Sequence, residues 1–194
     1  MTEKDNEVDI ESVKRAGSTI RRLLDIKQDE VEFAYDDIAD SYDQIAKWLS
    51  YELQATTAKV ILQTIPNMDA RILDVGCGTG LAGEAMYANG YRNVYGLDIS
   101  AKCLAIASKK EVYCRHLKGD SLPEMIRLTK SGGHIIITVR ENIFEQEIGG
   151  MDLKSTLVES VNSGVIAKKC HKKTLFYKEK NEEVLVSIFM SELV

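Results

Sequence analysis

The sequence predicts an α/β fold with a doubly wound, mainly parallel sheet, and three observations carry that expectation. Short apolar runs recur at residues 71–75, 94–97, 112–117 and 134–139, the first two meeting glycine or aspartate at their ends. Between them lie stretches with helical apolar spacing, 81–89, 101–109 and 122–130. This alternation is the pattern of parallel strands joined by crossover helices. The last third breaks the alternation, because the strand-like runs 173–178 and 184–190 flank the polar turn K-E-K-N-E-E. That arrangement predicts an antiparallel hairpin closing one edge of the sheet.

Each element has its own signal. Residues 1–30 are charged, with Ile10, Val13, Ile20, Leu23 and Leu24 at roughly helical spacing. They are expected to form a helical or partly disordered extension, leaving 31–194 as a single domain. From Val31 to about Ile65 a helical pattern runs through Ala34, Ile38, Ile45, Trp48, Leu49, Val60 and Ile61 until Pro66-Asn67 ends it. Arg71 to Val75 reads as a buried strand running into glycines. A helix from Leu81 to Asn89 stops at Gly90, and a second strand, Val94 to Leu97, is ended by Asp98. Ser100 can cap a helix reaching about Lys109. Val112 to Leu117 is a third strand, Leu122 to Lys130 a helix broken by Ser131-Gly132-Gly133, and His134 to Val139 a further buried strand. Met151 to Asn162, with Leu153, Leu157 and Val161 on one face, is the last expected helix.

Composition narrows the function classes. A hydrophobic fraction of 44% supports a substantial core. The formal net charge of -5 argues against long-range attraction to nucleic acid or an anionic membrane surface. The N-terminus has no apolar h-region, and no apolar run approaches the ~20 residues of a bilayer span. Cys77, Cys103, Cys114 and Cys170 are too few and scattered for a disulfide framework, which fits a reducing compartment. The expectation is a cytoplasmic protein, with the nucleus left open.

Chemistry concentrates at R-I-L-D-V-G-C-G-T-G-L-A-G, residues 71–83. Gly76, Gly78 and Gly80 follow the first strand, at the carboxyl end where doubly wound sheets bind ligands. Glycine there permits positive φ and removes the Cβ that would hold a ligand away. A dinucleotide loop needs a third glycine where Leu81 stands, and Asp74 would repel a pyrophosphate. No G-K-[ST] triplet supports a phosphate loop either. A cationic ligand reverses the sign: S-adenosylmethionine carries a sulfonium and an ammonium, both favoured beside a carboxylate. Asp98 lies 22 positions after Gly76, near the ~20 expected of an acid accepting from ribose hydroxyls. The bland reading of Asp74 alone is a turn former.

L-D-V-G-C-G-T-G-L with G-L-D-I-S resembles motifs I and II of class I S-adenosylmethionine-dependent methyltransferases, a Rossmann-like fold. Y-D-D-I-A-D-S-Y-D (35–43) is similar to the segment that often precedes the sheet in these enzymes, and L-P-E-M-I-R-L-T-K-S-G-G-H-I-I-I-T-V-R to their approach to strand five. Within the class, the chain resembles the methyltransferase-like protein 27 family (Williams–Beuren region) over about residues 31–190. The resemblance implies that Gly76, Cys77, Gly78 and Gly80 form the cofactor loop, with Asp74 near the amino acid end. It implies ribose contacts for Asp98, adenine packing for Ile99, closure over the methionyl end by Tyr35 or Tyr42, and acceptance from the adenine amino group by Asp120. Both tyrosines have core packing as their alternative role.

Only 16 residues separate Leu117 from His134, enough for one helix and its turns. In the family that space holds strand four, so the sheet is expected to be shortened in its centre. One reading is a shortened form, such as a splice product, joined at K-G-D-S-L-P-E; it is the expectation here. The other is a compact variant pairing the first strand directly with 134–139. The function expected is methyl transfer to a small-molecule acceptor; the alternative is an inactive cofactor-binding or protein-interaction module. No residue identifies itself as a general base, although Arg140, Glu141 and Asn142 would face the acceptor side by topology. Cys114 with His116, and Cys170 with His171, lack zinc-ligand spacing, so no metal is expected. The basic segment Lys168 to Lys173 reads as a solvated strand edge before it reads as a partner site.

Overall fold

The computed structural model describes residues 30–48, 53–118, 125, 129–140, 153–179 and 182–193. Residues 1–29, with nearly all of the expected extension, lie outside that set, as do Asp120 and most of the expected helix 122–130. In chain order the elements are α1 (Val31–Trp48), α2 (Leu53–Thr64), β1 (Ile72–Val75), α3 (Leu81–Ala88), β2 (Val94–Asp98), α4 (Ala101–Lys109), β3 (Arg115–Lys118), β4 (His134–Arg140), α5 (Leu153–Asn162), β5 (Ile166–Glu179) and β6 (Glu182–Leu193).

β1, β2 and β3 form a parallel sheet in that order, with Ile72 opposite Val94 and Tyr95 opposite Arg115. Helices α3 and α4 supply the two crossovers, as the alternation predicts. The helices pack in pairs, α1 with α4 and α2 with α3. Ile61, Met86, Tyr91, Val94, Ala107, Val112 and Tyr113 bury a common core, which Ile136 of β4 joins. Tyr91 is fully buried and satisfies its hydroxyl by donating to the Ile65 carbonyl at 2.6 Å.

Two strand expectations need correction. β3 begins at Arg115 rather than Val112, because Val112 and Tyr113 turn into the core; the ladder is entered where Cys114 N–H donates to the Val94 carbonyl at 2.7 Å. β4 does not extend the parallel sheet. It pairs antiparallel with β6 over seven residues, Ile137 facing Phe189, in a second sheet ordered β4-β6-β5. The compact variant's pairing of β1 with 134–139 is therefore absent among the described residues. Four-residue β1 offers a shorter ladder than β6, so β4 satisfies more backbone groups on the hairpin. That hairpin is longer than its sequence signal, and its register shifts near Lys168/Cys170 and Leu175/Tyr177 mark bulges. With β4 outside the parallel ladder, the topological argument for residues 140–142 on an acceptor side loses its basis.

Candidate functional site

The β1–α3 loop is built from left-handed backbone. Gly76, Gly78 and Gly80 have φ of 73°, 53° and 92°, values that residues with a Cβ rarely adopt. They then divide by role. A Cβ built on Gly76 or Gly78 meets nothing within 4 Å, so both border open space. At Gly80 a Cβ would come within 3.2 Å of the Tyr113 ring and 3.3 Å of Ala107, so glycine there also makes room for packing beneath the loop.

Backbone bonds tie this loop to the end of β2. The N–H groups of Gly76 and Cys77 both donate to the Leu97 carbonyl, at 2.8 and 3.1 Å. Asp98 closes the join, accepting from Gly78 N–H at 2.7 Å and, through its other oxygen, from Ser100 N–H at 2.8 Å. Ser100 caps α4 as expected, its Oγ accepting from Cys103 N–H at 3.0 Å. The structure thus brings Gly76, Gly78, Asp98 and Ile99 together at one end of the parallel sheet. Burial raises the Asp98 pKa, while the three backbone donors at Ser100, Gly78 and Ile99 oppose that rise.

Asp74 has a partner the sequence did not disclose. Its Oδ2 accepts from the Tyr113 hydroxyl at 2.7 Å, and the same phenolic oxygen accepts from Gly83 N–H at 3.1 Å. Burial pushes the Asp74 pKa up to about 6 against the Tyr113 bond, with the Asp98 charge adding to the rise. A Cβ on Gly83 would lie 2.4 Å from Tyr113 Cζ, and one on Gly96 3.0 Å from Cys77 Sγ. Those two glycines make room for Tyr113 and Cys77. The Cys77 thiol is buried, and burial with the Asp74 and Asp98 charges raises its pKa, which disfavours the thiolate form.

Helix α1 adds residues that the sequence reading passed over. Tyr35 and Tyr42 pack half-buried against Ile38 and Ile45. Their neighbours Asp36 and Asp43 reach the loops: Ser100 Oγ donates to Asp36 at 2.5 Å and Thr79 Oγ1 donates to Asp43 at 2.5 Å. Asp43 also pairs with Lys110 at 2.6 Å, and Lys110 with Glu84 at 2.7 Å. The legible signal was the repeat of Tyr-Asp at 35–36 and 42–43, two helical turns apart on one face. No group of residues suited to a metal ion occurs among the described residues, and no described helix is long and apolar enough to cross a membrane.

Residues 72–123 match the family described as "Methyltransferase domain". A malonyl-[acyl-carrier protein] O-methyltransferase of Pectobacterium atrosepticum is 38% identical over 88 residues, 45% of this chain and 32% of that protein. An 18S rRNA (guanine-N(7))-methyltransferase of Arabidopsis thaliana is 34% identical over 92 residues, 46% of this chain and 32% of its own length. Methyltransferase-like protein 27 of Homo sapiens is 35% identical over 83 residues, 42% of this chain and 34% of that protein. The chain spans about a third of the length of the curated relatives it matches.

Among solved structures, a SAM-dependent methyltransferase from Methanosarcina mazei aligns with TM-score 0.52 at 13% identity, covering 69% of this chain and 97% of that one. The [4+2]-cyclase SpnF aligns with TM-score 0.52 at 15% identity, covering 71% and 80%. These likenesses give the fold, an α/β Rossmann-like one. The domain match adds a resemblance to methyltransferases over residues 72–123.

Proposed function

We propose that the chain binds S-adenosylmethionine in the β1–α3 cradle and directs its methyl group to a small-molecule acceptor. The observation that carries the reading is the open space over Gly76 and Gly78, with the Asp98 carboxylate bonded to Gly78 N–H beside it. A Cβ built on either glycine meets no atom within 4 Å, so a ligand can approach this backbone closely, and the neighbouring Asp98 carboxylate suits a cation. The methyltransferase domain match supports the class of chemistry.

When bound, the cofactor supplies an electrophilic methyl on a charged sulfur. The protein's task is then to bind, orient and exclude water. Asp98 accepts from the backbone at Gly78, Ser100 and Ile99, and a carboxylate has four lone-pair sites, so one stays open to a ribose hydroxyl. Ile99, half-buried beside it, offers an apolar surface for the adenine. Asp74 and Asp98 favour the cationic end electrostatically. Tyr35 and Tyr42 stand on the helix tied to the loop and are the candidates to cover the methionyl group.

The acceptors named for the relatives, a carrier-bound malonyl group and an rRNA guanine, differ in kind, so none transfers to this chain. Calorimetric titration with S-adenosylmethionine, S-adenosylhomocysteine and NAD tests the reading. Saturable binding of the two adenosyl sulfur compounds without NAD supports it. Selective NAD binding, or no binding by folded protein, contradicts it. Binding without turnover on any acceptor would favour a cofactor-holding module, the reading that a three-stranded parallel sheet makes worth separating.

A further inference from the structure

We infer that Asp36 and Asp43 are positioning residues: α1 is a strap whose two carboxylates fix the two loops that make the cradle. The inference rests on the cofactor reading for its consequence but on hydrogen bonds alone for its mechanism.

The residues stand seven apart on α1, two helical turns, so both project from one face about 10 Å apart along the axis. Asp43 accepts from Thr79 Oγ1 at 2.5 Å, inside the glycine loop. Asp36 accepts at 2.5 Å from Ser100 Oγ and at 3.2 Å from Lys102 N–H, in the turn after Asp98. Thr79 and Ser100 are buried, at 1% and 0% exposure, so each hydroxyl needs a partner within the protein. The two donors belong to different loops, and one helix supplies both acceptors.

The physical need is specific. A loop with three residues at positive φ and glycine at each has large freedom in the absence of tertiary restraint. Gly78 must hold its N–H toward Asp98 for the cradle to exist. Ordering that loop on ligand binding would cost affinity, and ordering it beforehand avoids the loss. Thr79 is the loop's hydroxyl-bearing side chain, and α1 holds it through Asp43. Lys110 neutralises Asp43 and links it to Glu84 on α3, which keeps the acceptor in place.

Hydrogen–deuterium exchange on the unliganded full chain, paired with S-adenosylhomocysteine titration, tests this. Asp43→Ala and Thr79→Val should each speed exchange in peptides covering 76–81, and the double variant should add little beyond either, because both remove one bond. Asp36→Ala should speed exchange over 100–103 and leave 76–81 unchanged. Asp43→Asn keeps an acceptor for Thr79 while losing the Lys110 pair, and should restore most of the protection. Ligand affinity should fall about tenfold in Asp43→Ala and recover in Asp43→Asn. Unaltered loop exchange in Asp43→Ala and Thr79→Val, or equal loosening of the whole chain, would overturn the strap. Should wild-type protein bind no S-adenosylhomocysteine, the cofactor reading fails while the exchange arm still decides the positioning claim.

Discussion

Tyr113 donates its hydroxyl to Asp74 Oδ2 at 2.7 Å, so the residue just before the β3 ladder holds the carboxylate in β1 at the mouth of the glycine loop. Beside them on β2 stands Gly96, paired in register with Asp74, whose missing Cβ leaves space for Cys77 Sγ and lets the Tyr113 ring lie close. The bond sets three expectations for Asp74: its orientation, its protonation and its cost to the fold.

Tyr113→Phe keeps the ring and removes the hydroxyl. Asp74 then loses its donor and Gly83 N–H its acceptor. A loss of ~1–3 kcal/mol in unfolding free energy is expected, the size of a broken bond to a buried charge. Chemical denaturation of the variant beside wild type measures it, and an unchanged midpoint would remove Tyr113 from the support of Asp74.

Two glycine substitutions should fail in different ways. Gly83→Ala places a methyl 2.4 Å from Tyr113 Cζ, so ~1–3 kcal/mol of overpacking is expected. Gly78→Ala meets no atom and carries only the backbone cost of φ 53°, ~1–2 kcal/mol. Its methyl, however, stands in the cradle. Thermal unfolding with parallel S-adenosylhomocysteine titration should therefore show binding lost in Gly78→Ala out of proportion to its stability change.

The acidic pH range separates binding from stability. Asp74 rises from the ordinary 3.8 to about 6, mainly through burial. Its folded form holds more protons than its unfolded form between those values, so this group adds stability as pH falls from about 6 toward 3.8. Asp36, lowered chiefly by the Ser100 hydroxyl, works the other way: its contribution stands above the ordinary carboxylate range and is lost as pH falls through its folded value. Asp74→Asn should flatten the first effect in denaturation curves. Affinity for the sulfonium compound should weaken as pH falls through about 6, because the protonated acid no longer attracts a cation.

The sequence exposed the elements governed by local rules. The strand-to-glycine transition at Val75, the strand end at Asp98, the stop at Gly90 and the Ser100 cap lie within a residue or two of their expected places. Contacts between distant segments stayed hidden. Tyr113 looks like any strand aromatic until the fold sets it over Gly83 and Gly96. Asp36 and Asp43 look like solvated helix charges until α1 crosses Ser100 and Thr79. The partner of β4 was also illegible, because an apolar run such as H-I-I-I-T-V states burial and not direction; β6 supplies the direction.

The claim at the centre is that Gly76, Gly78 and Asp98 cradle an onium cofactor. A crystal structure of the full chain with S-adenosylhomocysteine tests it most directly. Ribose hydroxyls should lie on the Asp98 carboxylate and the amino acid end over Gly76 and Gly78, with α1 still joined to Thr79 and Ser100. A ligand bound away from that loop, or a diphosphate compound seated against Asp74, would contradict it.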